Sequence, residues 1–273
     1  MKWVEPQVFK LGESAIDRDG IVGFLRHLGA EEWMGQQDWY KDDSSDGVDA
    51  ASVLIEIAGR SCYKSFGVGL NPNVTKIRKD RKDYLENVVS KGDGSVLEHP
   101  SVQWAFADVS RVFTHELVRH RAGVAISQES LRYVRQRELR MTLVPGSELA
   151  RLPNLREITA KLEEHEESYL KLAESLITDG MSFDDKKAWT SALRRVLPDG
   201  IATNLVWSAN HRAMRWILEM RTAPGAEVEM RYVFDKVGQI LQRDYPVIFG
   251  DFERKPHADG VGAQWVPRLR SKV

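Results

Sequence analysis

The stretch RHRAGVAISQESLRYVR, which runs from Arg119 to Arg135, combines four arginines, a histidine and three hydroxyl side chains. Guanidinium, amide and hydroxyl groups brought close together are a common way to bind a phosphate or another planar anion. Gly123 and Ala125 leave room for a ligand or another chain to approach the backbone closely. Cations that only offset a helix dipole would not need such small neighbours, so the stretch predicts an anion-binding site. Its other candidate donors are Ser127, Gln128, Ser130 and Arg132.

A second pattern, HELVRH at residues 115–120, is close to the His-Glu-x-x-His motif of zinc peptidases. That motif needs its histidines four residues apart on one helix face, whereas His115 and His120 are five apart. We therefore expect no metal site here. His115 is instead predicted to be a partly buried polar residue, and Glu116 to pair with an arginine of its own helix.

A third group lies in NHRAMRWILEMR at residues 210–221. Asn210 is a good helix N-cap, and Arg221 follows the apolar run WILEM at the end of the predicted helix. Burial of that helix would place the Arg221 guanidinium at the rim of the core, where it needs an anionic or carbonyl partner. Arg212 and Arg215 can be plain surface residues, and for Arg215 we expect this.

The composition is that of an ordinary folded protein with no general affinity for anions. The chain has 273 residues, 42% of them hydrophobic, and a formal net charge of -1. It can bury a large core, but near-zero charge does not attract nucleic acid or anionic membranes. Cys62 is the single cysteine, which excludes an internal disulfide and a multi-cysteine metal site. Without an apolar run of transmembrane length or a signal-peptide pattern, we expect a cytoplasmic protein without membrane or nucleic-acid partners.

The predicted elements give an α+β fold, a helix-rich single domain around a small, mostly antiparallel sheet. Strand patterns cover SVQWAFADV and IATNLVWSA, each followed by a polar cap, Ser110 or Asn210, and then a helix that delivers arginines. The first of these helices is expected to continue to Gly123, with a loop of small residues after it. Further helices are predicted from Asp49, over residues 79–94, 154–180 and 183–198, and from about residue 226 to 243.

This pattern predicts a division of the chain into three parts. Residues 1–48 are predicted to be an N-terminal extension closed by the loop KDDSSDG, and residues 49–250 the compact body. Residues 251–273 are expected to form an irregular C-terminal tail.

Arg119-His120-Arg121, a short spacer and Ser130-Leu131-Arg132 together resemble the signature of flavin-dependent thymidylate synthases. The resemblance covers residues 50–250, approximately. The other similar segments, in the family's order, are GRSCY at 59–63, GSVLEH at 94–99, THELVRHR at 114–121, RRVLP at 194–198 and NHRAMRWILEMR at 210–221.

The resemblance implies a methyltransferase that converts deoxyuridylate (dUMP) to thymidylate (dTMP), with FAD as cofactor, methylenetetrahydrofolate as carbon donor and NADPH as reductant. The implied FAD-binding residues are Ser95, Arg119, His120, Arg121, Gln128, Asn210 and Arg212. The implied dUMP-binding residues are Glu116, Arg119, Gln128, Ser130, Leu131, Arg132, Arg194 and Arg221. Arg221 is also implied to be catalytic, against the uracil carbonyl and N3. Family members are homotetramers in which several chains build each active site, so we expect the same of this chain.

The implied mechanism needs no covalent enzyme nucleophile. Reduced flavin would deliver a hydride to the pyrimidine, and arginines would stabilise the negative charge that develops on its carbonyls. Cys62 lies in a helix far in sequence from the arginine motif, and we expect it to be a buried packing residue.

Two features depart from the family pattern. Eight residues, 122–129, separate Arg-His-Arg from Ser130, where the family usually has seven. Trp216 stands where a flavin-contacting asparagine is expected. Two other functions remain open: a related flavoenzyme that modifies another pyrimidine nucleotide, for example by hydroxymethylation, and a non-catalytic binder of nucleotides or RNA.

Overall fold

A computed structural model describes residues 1–41 and 49–270 of the chain. Most of the predicted KDDSSDG linker lies outside the described residues. The helices are α1 (Arg18–His27), α2 (Glu31–Met34), α3 (Asp38–Lys41), α4 (Ala50–Tyr63), α5 (Arg81–Lys91), α6 (Arg111–Leu117), α7 (Leu155–Leu176), α8 (Phe183–Leu193), α9 (His211–Arg221), α10 (Val228–Asp244) and α11 (Pro246–Phe249). The strands are β1 (Lys2–Val4), β2 (Gln7–Glu13), β3 (Ser101–Ser110), β4 (Val124–Gln128), β5 (Arg140–Thr142), β6 (Ala202–Asn210), β7 (Phe252–Pro256) and β8 (Ala263–Pro267).

Among the described residues, four strands form the central sheet, in the order β2-β3-β6-β4. Its pairings are antiparallel, with Trp104 of β3 opposite Trp207 of β6. Both indoles are buried, together with Phe106 and with Phe234 of α10. The alternation of apolar and polar residues in β3 and β6 therefore places one face of the sheet on the helical core. This confirms the predicted α+β fold, with helices around a small, mostly antiparallel sheet.

The predicted strand, cap and helix arrangement occurs twice. The Ser110 hydroxyl accepts a hydrogen bond from the Phe113 amide at the start of α6, and the Asn210 side chain accepts one from the Ala213 amide at the start of α9. Because β3 and β6 are antiparallel, with Ser101 opposite Asn210, the two helices begin at opposite ends of the strand pair. Their last turns meet, and this meeting point holds the candidate site.

The segment after α6 differs from the prediction. The helix ends at Leu117, so Arg119, His120 and Arg121 lie beyond it and not in its last turn. The expected loop is strand β4, which pairs with β6. The reason is that β6 offers a free edge, and the alternating run from Val124 satisfies its backbone groups there. Gly123 makes the turn into the strand with a φ of 69°.

Residues 1–41, the described part of the N-terminal segment, contact the rest of the chain. β2 is an edge strand of the central sheet, with Val8 opposite Phe106 of β3, and β1 pairs in parallel with β5. The helices α1 to α3 pack on α4 through a second apolar cluster that includes Trp33, Trp39 and Ile57. The predicted division at residue 49 did not anticipate these contacts, because the short alternating pattern of β2 can be recognised as a strand only beside β3.

Residues 251–270, the described part of the C-terminal tail, contain two paired strands and are not irregular. β7 and β8 form a hairpin, and Trp265 of β8 is buried, with its indole N–H donating to Asp235 at 2.9 Å. Arg215 of α9, which we expected at the surface, is fully buried beneath this segment. Its guanidinium donates to both carboxylate oxygens of Asp251, at 2.7 and 2.8 Å, and to the Arg270 carbonyl. Arg215 is buried because the C-terminal segment packs over its guanidinium.

No helix within residues 1–41 and 49–270 has the length and apolar character needed to cross a membrane.

Candidate active site

Arg221 is held in place where the last turns of α6 and α9 meet. Its Nη1 donates to Glu116 Oε2 at 2.7 Å, and its Nη2 donates to the Glu116 carbonyl at 2.8 Å. Its Nε donates to His120 Nε2 at 2.7 Å. The side chain is 12% exposed, so the guanidinium lies at the rim of the core with the anionic and carbonyl partners that the sequence required. Glu116 does pair with an arginine, but with one from α9 and not from its own helix.

His120 is neutral at physiological pH and has a defined tautomer. The pKa of His120 is lowered from 6.5 to about 4, mainly by burial. The neighbouring Arg221 charge also lowers this pKa, and its effect is larger than the opposite effect of the Glu116 carboxylate. Since Nε2 accepts the Arg221 hydrogen bond, the ring proton lies on Nδ1. Arg221 is thus oriented by three acceptors, of which the Glu116 carboxylate is the charged one.

A cleft of about 590 Å³ opens beside this cluster. It is lined by Glu98, Arg119, His120, Arg121, Ala122, Gly123, Asn210, Arg212, Ala213, Trp216 and Ile217. Five predicted flavin residues therefore share one cleft: Arg119, His120, Arg121, Asn210 and Arg212. Trp216, at the position that departs from the family pattern, lines the same cleft and is the one aromatic residue besides His120 among the described residues that line it.

The cleft floor depends on a close approach between β4 and β6. A Cβ on Gly123 would lie 2.4 to 2.8 Å from the Asn210 side chain, so a larger residue would displace the N-cap of α9. Arg212, which also lines the cleft, forms an ion pair with Glu98. Two features therefore favour glycine at position 123: the close contact with Asn210 and the positive φ.

A second cleft, of about 240 Å³, holds two of the predicted dUMP residues, Leu131 and Arg194. Its remaining lining residues are Arg111, Arg195, Leu197, Pro198, Asp199 and Ile201. Burial and the nearby Arg194 charge lower the pKa of Arg111, which shows how closely the cations are placed. Three guanidinium groups against one carboxylate make this cleft suited to a phosphate.

Arg111 and Arg195 were missed from the sequence. A signal for Arg111 was available, because it is the first residue of α6, directly after the Ser110 cap. A cation in the first turn opposes the helix dipole and therefore needs another reason to be there.

The other predicted residues lie outside both clefts. Ser130 accepts a hydrogen bond from the Arg132 amide at 3.3 Å, and the Arg132 side chain is exposed. Gln128 donates to the Thr114 hydroxyl at 3.2 Å. Ser95 lines a separate cavity of about 80 Å³, together with Cys62. A single chain therefore does not bring all predicted site residues together.

Two expectations about isolated residues were wrong. Cys62 is exposed, with its thiol 3.4 Å from the Ala58 carbonyl, because it lies on the outer face of α4. His115 is exposed rather than partly buried, since α6 turns that face to solvent. Within the described part of the chain, no three His, Cys, Asp or Glu side chains are grouped so that they could hold a metal ion.

Comparison with known proteins identifies the family. The sequence model of the Thy1 family, described as thymidylate synthase complementing protein, matches residues 46–247. The flavin-dependent thymidylate synthase of Mycobacterium marinum (strain ATCC BAA-535 / M) is 35% identical over 217 residues, which cover 78% of this chain and 84% of that protein. This chain belongs to the flavin-dependent thymidylate synthase family. It is accordingly an enzyme of the methyltransferase class, and the resemblance drawn from the arginine signature is confirmed.

A second relative is similar in sequence, and a solved structure is similar in fold. The flavin-dependent thymidylate synthase of Mycobacterium tuberculosis (strain ATCC 25618 / H37Rv) is 34% identical, again over 78% of this chain and 84% of its own length. The fold is similar to that of the UMP/dUMP methylase PolB from Streptomyces cacaoi, solved with 5-Br dUMP, with a TM-score of 0.60 and 15% identity. That alignment covers 92% of this chain and 96% of PolB.

Proposed function

We propose that this member of the flavin-dependent thymidylate synthase family converts dUMP to dTMP, with FAD as cofactor, methylenetetrahydrofolate as carbon donor and NADPH as reductant. The observation that carries the proposal is Arg221, fixed by Glu116 and His120 at the edge of the cationic cleft. A fixed guanidinium is what a reaction without a covalent nucleophile needs to stabilise charge on the pyrimidine.

The residues of the larger cleft fit a flavin dinucleotide. Arg119, Arg121 and Arg212 provide guanidinium donors suited to a diphosphate, and Trp216 provides a flat apolar surface. The cleft volume of about 590 Å³ is in the range of small-molecule sites. When bound, the reduced flavin would supply the hydride and electrons of the reaction.

Arg221 retains donors for the substrate. A guanidinium has five N–H groups, and the hydrogen bonds to Glu116 and His120 use three of them. Two N–H groups are therefore available to a pyrimidine carbonyl and to the ring nitrogen N3 when negative charge develops there. Because the His120 ring is neutral, it keeps Arg221 in position without competing for the negative charge that develops on the substrate.

The second cleft would hold the 5′-phosphate of the nucleotide. Arg111, Arg194 and Arg195 surround it, and the neighbouring Leu131 is a predicted dUMP residue. Ser130 and Arg132 line neither cleft of the same chain. A homotetramer, in which residues of different chains complete one site, accounts for this separation.

The visible spectrum of the purified protein tests the flavin assignment. We expect flavin absorption in the native protein and its loss in a double variant with His120→Ala and Arg121→Ala. The matched control, His115→Ala with Arg135→Ala, changes an exposed histidine and an exposed arginine that line neither cleft, and should keep the flavin. A colourless native protein would indicate a non-catalytic nucleotide binder, and flavin retained by the first double variant would contradict the assignment.

A further inference from the structure

Two large aromatic side chains stack on each other at the surface, outside both clefts. Tyr133 and Phe183 have ring centroids 6.5 Å apart and an interplanar angle of 21°. Phe183 is 70% exposed and Tyr133 is 57% exposed. Exposed aromatic surface of this extent is unfavourable in water and typically marks a binding surface.

The two rings come from different parts of the chain. Phe183 is the first residue of α8, directly after the Ser182 cap, and Tyr133 follows Arg132 of the arginine signature. Phe183 thus lies at the start of α8, and Tyr133 lies in the segment that carries predicted dUMP residues. A ligand on Phe183 would lie next to the proposed nucleotide site.

Cations surround the aromatic pair. Lys187 Nζ lies 4.9 Å from the centroid of the Tyr133 ring, and Arg132 Cζ lies 6.0 Å from it. A hydrogen bond from Lys187 lowers the pKa of the Tyr133 hydroxyl, and the Arg132 charge lowers it too, whereas Asp184 raises it. Two cations and one carboxylate, that of Asp184, therefore act on the Tyr133 hydroxyl.

We propose that Tyr133 and Phe183 form a stacking platform for a planar ring that carries a phosphate, and that its ligand is the adenosine 2′-phosphate end of NADPH. This inference rests on the proposed function, because it assigns a site to the proposed reductant. Both Lys187 and Phe183 lie against the Tyr133 ring, and Phe183 is the more exposed of the two rings, so we assign the adenine to the exposed surface of Phe183. Any base can stack on an aromatic ring, so stacking alone is not specific. The 2′-phosphate would bind beside the cations Lys187 and Arg132.

Direct binding of adenosine 2′,5′-bisphosphate to the purified full-length protein, measured by isothermal titration calorimetry, tests the platform independently of activity. Phe183→Ala should raise the dissociation constant about tenfold or more, from the loss of base stacking. Phe183→Trp should retain binding, and Phe183→Leu, which keeps an apolar side chain without a ring, should lose it. The matched control is Phe24→Ala, which removes an exposed phenylalanine of α1. Lys187→Glu should weaken the binding of the bisphosphate more than the binding of adenosine 5′-monophosphate.

Turnover measurements separate this inference from the proposed function. Phe183→Ala should raise the KM for NADPH and leave turnover unchanged when dithionite reduces the flavin instead. A protein that forms dTMP but binds the bisphosphate equally well with and without Phe183 would overturn the platform alone. A rise in the KM for methylenetetrahydrofolate instead of NADPH would also overturn it. A smaller assembly mass for Phe183→Ala would overturn it too, because the aromatic pair would then be an interface between chains.

Discussion

At the scale of single residues, the central feature is an arginine fixed in place before any ligand arrives. Arg221 has its partners on α6 and on the segment that follows it, so its guanidinium does not need to reorganise when charge develops on a substrate. Preorganised donors of this kind account for much of the rate enhancement in reactions that pass through anionic states.

Replacement of this arginine should affect the chemical step. Arg221→Ala is expected to reduce turnover by about 10²- to 10³-fold, the usual loss for one charge-stabilising donor. Lysine should restore little activity, because a point charge does not reproduce a planar fork. Single-turnover reoxidation of the flavin by dUMP and methylenetetrahydrofolate measures the effect. Flavin reduction by NADPH should continue in both variants, and normal reoxidation in Arg221→Ala would refute the assigned role.

The neutral His120 predicts a specific dependence of stability on pH. Its folded pKa of about 4 lies below the ordinary value of 6.5, so its contribution to stability is complete above pH 6.5 and is lost as the pH falls toward 4. Protonation removes the Nε2 acceptor and places a cation beside Arg221. Urea unfolding at pH 7, 6 and 5 should show a flatter profile for His120→Gln than for the native protein. The exposed His115→Gln serves as control, and parallel profiles for all three proteins would contradict the assignment.

The residues that could be predicted are those whose requirements are local. Ser110 and Asn210 cap helices by accepting hydrogen bonds from amides three residues away. Arg221 follows an apolar run, so the sequence indicated that its guanidinium would need a partner at the rim of the core. Arg215 could not be placed, because the segment that buries it lies 36 residues further along the chain, at Asp251.

At the scale of elements, α9 positions the site and is itself held at three points. Asn210 caps its first turn, Arg221 joins its last turn to α6, and Arg215 joins its middle to the C-terminal segment. The hairpin of β7 and β8 is therefore part of the support of the active site, although it contributes no residue to either cleft.

Removal of the buried partner of Arg215 should be strongly destabilising. Asp251→Ala leaves a fully buried guanidinium without its carboxylate, which typically costs about 3 to 5 kcal/mol. The matched control is Glu253→Ala, which breaks an exposed pair with Lys255 and should cost less than about 1 kcal/mol. Urea unfolding of the three proteins measures both effects. Equal stabilities of the two variants would contradict a supporting role for the C-terminal segment.

Elements with strong local patterns could be predicted, and elements that depend on a distant partner could not. The alternation in β3 and β6 and the periodicity of α7 and α10 are visible in the sequence, and both strands and both helices occur where expected. Strand β4 was taken for a loop because its pairing partner, β6, is 78 residues away, counted from Val124 to Ala202. The same holds for β2, which pairs with the distant β3.

At the scale of the whole molecule, the site residues of one chain are divided. The Arg221 cluster borders one cleft, Leu131 and Arg194 line another, and the exposed Arg132 lines neither. The arginine signature identified the family, but sequence order could not show which of its residues meet within one chain and which would meet between chains.

Mixed assemblies test whether the active sites are shared. Arg221→Ala and Arg132→Ala chains should each be inactive alone, and should regain part of the activity after subunit exchange, because some mixed sites contain both native arginines. Mass spectrometry of tagged chains establishes that exchange has occurred. Continued inactivity in exchanged assemblies would mean that each site is built within one chain.

The most direct test of the proposed function is product analysis. The purified protein, incubated with dUMP, methylenetetrahydrofolate and NADPH, is expected to form dTMP in proportion to the NADPH oxidised, as measured by chromatography and mass spectrometry. The Cys62→Ala variant should form it as well, since no covalent nucleophile is required. A hydroxymethylated nucleotide, conversion of a different pyrimidine nucleotide instead of dUMP, or an inactive Cys62→Ala enzyme beside an active Arg221→Ala enzyme would contradict this function.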